Sequence, residues 1–388
     1  MNNNFIYLDS AATTKPYSLA EVKKNYPYYD NEKLWMNPSA LYANDIKYIV
    51  DNTRMRMLEE LVGVRYFHEL FFTSGATEAN NWIIHNIVQE YDGNMYIPSV
   101  ICSPFEHPSI INVLKHYEEK GKIRIVYLEV DEKGHVIVDS VENAISDCEC
   151  PALLICMWVN NEIGAIQPIE EIGAICENYN VHFHVDATQA IGKLTDEYIP
   201  DVIDSMSFSG HKFHGPKGIG GLLIRKEFLD QIGPFIIGGH QQEGFRAGTE
   251  DVERIKMFYF SFHKSWFESW DSQKHSEIIN DYICFKLKEN FKEDDYVINS
   301  VDKNIPIMSI SFKNISGEYI VKELAKENIF ISTGSACSTG DLSISDTIKA
   351  INVPDEYKEG TIRISFDRTI GANDIDTLID KLVKIFYN

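Results

Sequence analysis

Several stretches of the 388-residue chain carry residue types that could do chemistry together. Lys212 closes the turn Ser209-Gly210-His211-Lys212, directly after the apolar run Val202–Phe208. A lysine held at a strand end among apolar residues is desolvated, which disfavours the ammonium form and leaves an amine able to attack a carbonyl. A solvated loop lysine is the commonplace alternative, and Lys212 alone does not decide between them. Upstream, Val181–Val185 reads as a second short strand; it ends in Asp186, with Gln189 three residues on. Pyridoxal phosphate chemistry needs an amine for an aldehyde and an acid facing a ring nitrogen, and Gln189 could hydrogen-bond the ring oxygen. It also needs a phosphate cradle. Leu70-Phe71-Phe72-Thr73 reads as a strand and Ser74-Gly75-Ala76-Thr77 as the start of a helix. There, backbone N–H groups, the Thr77 hydroxyl and the helix dipole can meet an anion. The turn lacks the Gly-Lys-Ser/Thr of a P-loop, and alone it reads as a capped helix start.

The elements that must position these groups alternate strand with helix. Strands are expected at Tyr96–Cys102, Ile123–Val130, Ala152–Val159 and Leu222–Ile224, and an amphipathic helix at Asp45–Leu61. Polar residues at successive strand ends predict a mostly parallel α/β sheet with ligands gathered at one edge. Two such ends are Glu106-His107-Pro108-Ser109, at a helix start, and the turn-forming Asn160-Asn161-Glu162-Ile163-Gly164. Residues 256–295 predict a long connecting helix and hinge. A strand at Ile305–Phe312, a helix at Glu318–Glu327 and a closing helix at Ile375–Phe386 follow. Between Ile331 and Leu342 no large apolar side chain occurs, so Cys337 reads as a loop thiol and not as core. In Thr361–Phe366, Ile362, Ile364 and Phe366 alternate toward the core. Arg363 faces the other way, where a guanidinium can clamp a carboxylate. A surface salt bridge is the competing reading.

Composition bounds the function. The chain is 44% hydrophobic and 24% charged, enough for one large domain and a smaller one. A net charge of −22 argues against direct binding to nucleic acid or anionic membrane. No apolar run approaches the ~18 residues of a spanning helix. Met1-Asn2-Asn3-Asn4 lacks the basic and apolar regions of a signal peptide, which predicts a cytoplasmic location. The seven cysteines are odd in number and show no C-x-x-C spacing, so neither a disulfide framework nor a metal site is expected. Cys148-Glu149-Cys150 reads as a surface loop, and Cys102, Cys156, Cys176 and Cys284 as core.

The stretches His184-Val185-Asp186-Ala187-Thr188-Gln189 and Ser207–Gly218 resemble the cysteine desulfurases of the NifS/IscS type, class V aminotransferase-like pyridoxal phosphate enzymes. The resemblance runs from Tyr7–Thr14 to Arg363. It implies an α/β, type I pyridoxal phosphate transferase fold: a large cofactor domain over 14–255 with a mostly parallel sheet, and a smaller α+β domain from 1–13 and 256–388. It implies L-cysteine as substrate, L-alanine as product, and a sulfur-acceptor protein as partner. Lys212 would hold pyridoxal 5′-phosphate, Asp186 its ring nitrogen and Gln189 its ring oxygen. Ala76, Thr77, Ser209, His211 and a partner subunit's Thr249 would hold the phosphate, making the enzyme a homodimer. His107, with the ordinary histidine pKa, would stack on the ring and shuttle protons. Asn161 and Arg363 would bind the substrate, and Cys337 would accept the sulfur. The chain departs from the family pattern at Met36, Ala40, Tyr42 and Asp367. A selenocysteine lyase would share nearly every residue. A class V transaminase would not need Cys337, and a pyridoxal-binding scaffold would turn nothing over.

Overall fold

The computed structural model describes residues 5–25, 33–63, 67–194, 198–333 and 344–387. A short strand, β1 (Ile6–Tyr7), opens the chain. Then come β2 (His68–Thr73), β3 (Ser99–Cys102), β4 (Arg124–Tyr127), β5 (Pro151–Met157), β6 (His182–Asp186), β7 (Ser205–Ser209) and β8 (Gly220–Arg225). These seven form one sheet in the order β2-β8-β7-β6-β5-β3-β4. Only β8 runs against its neighbours; the remaining pairings are parallel. Helices cover both faces, which is why β5 and β6 are buried along almost their whole length. Because β2, β3, β5, β6 and β7 share one direction, their carboxyl ends open on a single edge. That is where an α/β sheet offers a crevice to ligands.

The strand expected at Leu222–Ile224 begins two residues earlier, and its two glycines explain why. A Cβ on Gly221 would lie 2.4 Å from the Phe208 ring, and one on Gly220 would lie 2.5 Å from the Phe208 carbonyl and 2.7 Å from Gly75 Cα. Glycine is required there by close backbone approach and not by a loop.

A second sheet, β9 (Tyr296–Ile298), β10 (Ile307–Phe312) and β12 (Thr361–Ser365), is antiparallel, while β11 (Ile329–Phe330) pairs in parallel with β1. It has its own core, built from Ile310, Ile362 and Ile364 with the helices Ser269–Asn290 and Ala372–Tyr387. All five residues of β12 are buried, Arg363 among them at 2% exposed. The connecting helix and hinge expected over 256–295 are two helices, Val252–Phe267 and Ser269–Asn290, meeting at Glu268 (φ −95, ψ 2). The break lets each half serve a different core: Ile255 and Phe258 pack on the large sheet, Ile279 and Ile283 on the small one. Cys102, Cys156 and Cys176 are buried as expected, whereas Cys284 is only half-buried.

The amino-terminal segment joins the two parts. Ser10 N–H donates to the Ser365 carbonyl (2.9 Å) and Ala11 N–H to Ser365 Oγ (2.8 Å). Three residues later, Thr14 N–H donates to the His211 carbonyl (2.9 Å) and Tyr17 N–H to that of His214 (3.0 Å). Among the described residues no helix is long and apolar enough to cross a membrane.

The glycine contact gives the first prediction. Gly220→Ala forces a Cβ against two backbone atoms, so urea unfolding should show a loss of about 1–3 kcal/mol. An unchanged midpoint would mean that β8 can shift at no cost.

Candidate active site

The carboxyl edge of the large sheet opens into a cleft of ≈ 550 Å³, lined by residues at or just beyond the ends of β2, β3, β5, β6 and β7, by the amino-terminal segment and by Arg363 of β12. From β7 the chain enters a single 3₁₀ turn, Gly210–Lys212, pinned by Gly210 N–H on the Ile219 carbonyl (3.0 Å). That turn aims Lys212 across the cleft, where Nζ donates to the carbonyls of Ala11 (2.7 Å) and Ala12 (3.0 Å). Asp186, last in β6, accepts from Thr188 N–H at Oδ1 (2.9 Å) and from Asn80 Nδ2 at Oδ2 (3.1 Å).

Gln189 is buried, and both ends of its amide are engaged. Its Nε2 donates to the Ala11 carbonyl (2.8 Å), and its Oε1 accepts from Lys193 Nζ (2.8 Å). An ammonium only donates, so Lys193 sets which way the amide faces. Burial, helped by the charges of Lys212 and Arg363, lowers Lys193 to about 7. Sequence reasoning passed over Lys193, which carries no signal beyond standing four residues after Gln189.

Opposite the lysine turn, the helix Ala76–Glu90 begins without a side-chain cap, and its first return bond is Ala79 N–H to the Gly75 carbonyl. The N–H groups of Ala76, Thr77 and Glu78 therefore have no intrahelical acceptor, the arrangement that receives anions. Gly75 (φ +156) keeps the approach open: a Cβ there would stand 3.5 Å from Ser209 Oγ. His211 lies beside them, its Nδ1 3.2 Å from Thr13 Oγ1. Burial, then the charges of Lys212, Lys217 and Lys193, lowers it to about 4, so it meets an anion as a neutral donor. The segment carrying Thr249 is tied to this helix start by a two-pronged pair, Arg246 Nε to Glu78 Oε1 (2.9 Å) and Nη2 to Oε2 (3.1 Å). Gln242 anchors it further by pairing its amide with Phe72 N–H (2.6 Å) and carbonyl (2.8 Å). Thr249 itself is exposed and does not line the cleft of its own chain.

His107 is the N-cap of the helix Pro108–Glu119, and its Nδ1 accepts from Ser109 N–H (3.1 Å). Glu106 fixes the approach, since its Oε1 accepts from Ser103 Oγ (2.6 Å) and from Met157 N–H at the end of β5 (2.7 Å). Burial lifts Glu106 to about 8. Burial also pushes His107 below the usual histidine range; the Asp186 charge raises it and the Lys212 charge lowers it. The ordinary pKa expected for His107 does not hold here.

Asn160 Oδ1 caps a tight turn by accepting from Glu162 N–H (2.8 Å) and Ile163 N–H (2.9 Å), which presents Asn161 to the cleft. Arg363 reaches the cleft from β12. Its Nη1 donates to the Asn161 carbonyl (2.8 Å) and its Nη2 to Asp9 Oδ1 (2.8 Å), leaving Nε buried without a partner among the described residues. Asp9 was not singled out from the sequence, although it lies inside the Tyr7–Thr14 stretch. Of the departures from the family pattern, none lines the cleft: Tyr42 is 80% exposed, and the Asp367 carboxylate turns to Thr369 N–H (2.8 Å). Cys337 lies outside the described residues.

A family model described as aminotransferase class-V matches residues 6–378. The chain is 34% identical to a cysteine desulfurase IscS of Clostridium botulinum, over 99% of this chain and 94% of that protein. It is 33% identical to an IscS cysteine desulfurase of Methanosarcina thermophila, over 99% and 92%. Among solved structures, a NifS-like protein superposes with a TM-score of 0.86 at 29% identity, covering 99% of each chain. A structure named SspA in complex with cysteine gives a TM-score of 0.74 at 26% identity, covering 93% of this chain and 98% of that one.

The electrostatics of His107 can be read directly by NMR titration. Its midpoint should fall below the ordinary histidine value of about 6.5. Asp186→Asn removes an anion that favours the imidazolium, so the midpoint should drop further; Lys212→Ala removes a cation, so it should rise. An upward shift in Asp186→Asn would contradict this account of the site.

Proposed function

The chain belongs to the aminotransferase class-V family and stands among its cysteine desulfurases, and from that premise we propose that it uses pyridoxal 5′-phosphate to take sulfur from L-cysteine. L-Alanine is released and the sulfur is left as a persulfide on Cys337. The observation that carries the proposal is the convergence of Lys212, Asp186 and Arg363, from three distant segments, on one cleft beside an uncapped helix start. The donor set suits the cofactor. The helix N–H groups, Thr77 and Ser209 would hold its phosphate, Asp186 its ring nitrogen, Gln189 Nε2 its ring oxygen and Lys212 its aldehyde. Thr188 Oγ1, shielded from solvent and without a partner among the described residues, is a further donor in the same wall.

When bound, the cofactor supplies a cationic ring that delocalises the electron pair left at the substrate α-carbon. The rest is the work of the chain. Asp186 keeps the ring-nitrogen proton in place, and its own geometry is held by Thr188 N–H and Asn80. Arg363 offers its unpartnered Nε to the substrate carboxylate, with Asn161 beside it. Lys212 Nζ, which would hold the aldehyde in the resting site, would move the α-proton once free, and His107 would carry the thiol proton. The Cys337 thiolate attacks the substrate sulfur: an S–S bond forms and the C–S bond breaks. The bonding pair stays on the substrate carbon, which takes a proton to become alanine, so sulfur is oxidised as carbon is reduced.

The persulfide is then passed to a sulfur-acceptor protein. Thr249, exposed yet tied to the cradle through Arg246, is proposed to reach the phosphate site of a second subunit in a homodimer. A relative solved in complex with cysteine supports the substrate assignment.

In a single turnover without reductant, alanine and protein persulfide should form in equal amounts. Cys337→Ala should abolish the persulfide while keeping cofactor binding; wild-type turnover in that variant would rule out Cys337 as acceptor. Arg363→Ala removes a charge-assisted contact of about 1.5–3 kcal/mol, so the KM for cysteine should rise roughly ten- to a hundredfold. Arg363→Lys should recover only part of the loss. An unchanged KM in folded Arg363→Ala would place the carboxylate elsewhere.

A further inference from the structure

Behind the cleft wall, buried polar side chains run from the interior of the sheet to the two groups proposed to manage protons. His182, His184 and Asp186 alternate along β6 and so leave it on one face. Ser205 Oγ lies 2.8 Å from His182 Nε2 and 2.8 Å from His184 Nδ1. His184 Nε2 lies 3.0 Å from Asn80 Oδ1. Asn80 Nδ2 donates to Asp186 Oδ2 (3.1 Å) and to Ser109 Oγ (3.0 Å). Ser109 Oγ in turn lies 2.9 Å from His107 Nδ1, which also receives Ser109 N–H (3.1 Å). Asn80 and His184 are 0% exposed, so water cannot stand in for their partners.

Hydrogen-bond capacity gives this chain a direction. Asp186 as a carboxylate only accepts, so Asn80 must turn its NH₂ toward it and its carbonyl oxygen toward His184. His184 must then carry its proton on Nε2, which leaves Nδ1 as an acceptor for the Ser205 hydroxyl. With that proton committed, Ser205 accepts from His182 Nε2–H, and His182 Nδ1 is left as a bare lone pair. That atom is indeed buried with no partner among the described residues. On the other branch, Ser109 Oγ accepts from Asn80 and gives its own proton to His107 Nδ1. His107 Nδ1 thus receives two donors and cannot hold a proton; the ring proton sits on Nε2. Burial keeps His182 and His184 neutral, each lowered to about 3, as the scheme requires.

We infer that Asn80 is a positioning residue, backed by His184, that joins Asp186 and His107 into one unit of fixed polarity, with both amide protons spent on the two branches. What the unit serves rests on the proposed function; the polarity itself does not. The test is nitrogen-15 NMR of the histidine rings in the full chain, with and without pyridoxal 5′-phosphate. The expected result is Nε2-protonated, Nδ1-bare rings for His107 and His184 in both states. A proton on Nδ1 of either ring overturns the inference. Asn80→Ala, checked for an unchanged fold, should weaken pyridoxal 5′-phosphate binding by about tenfold or more and shift the His107 ring signals. Unchanged affinity and signals would likewise overturn it. If the variant fails to fold, the wild-type tautomers still decide. If cysteine is not turned over while the tautomers are as expected, the functional reading falls and this inference stands.

Discussion

The site depends on the parallel pairing of β6 with β7. Asp186 stands in register with Ser207, and Ala187 N–H closes the ladder on the Ser207 carbonyl at 2.9 Å. That pairing brings a carboxylate and the lysine turn out of adjacent strand ends, where a parallel sheet already gathers its carboxyl termini. Everything nearby serves to hold polar groups in a mostly buried wall. Each buried donor or acceptor left unmatched there costs about 1–3 kcal/mol, so the amides and hydroxyls behind the cleft are shared out almost completely. Two of the exceptions, Arg363 Nε and Thr188 Oγ1, belong to residues that line the cleft.

The second constraint is the strap formed by residues 8–17. It pairs with β12 through Ser365 and with the lysine turn through Thr14, so Arg363 and Lys212 are registered by one continuous backbone. The strap does this with carbonyls as well: Ala11 and Ala12 receive Lys212 and Gln189. Asp9 on the same strap holds Arg363. Two cores, each with its own sheet, thereby meet at a single cleft.

Much of this was legible in the sequence. Short apolar runs ending in polar residues placed β2, β5, β6 and β7, because a strand buried on both faces must be apolar and must stop where it reaches the ligand edge. Lys212, Asp186 and Gln189 sat at those ends and His107 beyond the end of β3, and they were singled out for that reason. What escaped was set by tertiary contacts. Gly220 and Gly221 read as loop because nothing local announces the Phe208 backbone against them. The hinge within 256–295 could not be placed from sequence, because periodicity does not show that the two halves pack on different cores. Asn80, Ser109, Lys193 and Asp9 are ordinary polar residues in sequence; their partners lie up to 354 positions away.

The central claim is that Lys212 is the cofactor lysine of this cleft. The most direct measurement is to load the protein with pyridoxal 5′-phosphate, reduce it with borohydride and map the labelled peptide. The account predicts a yellow protein, bleached on reduction, with the cofactor on Lys212. Label on Lys193 or Lys217, or no label at all, would contradict it.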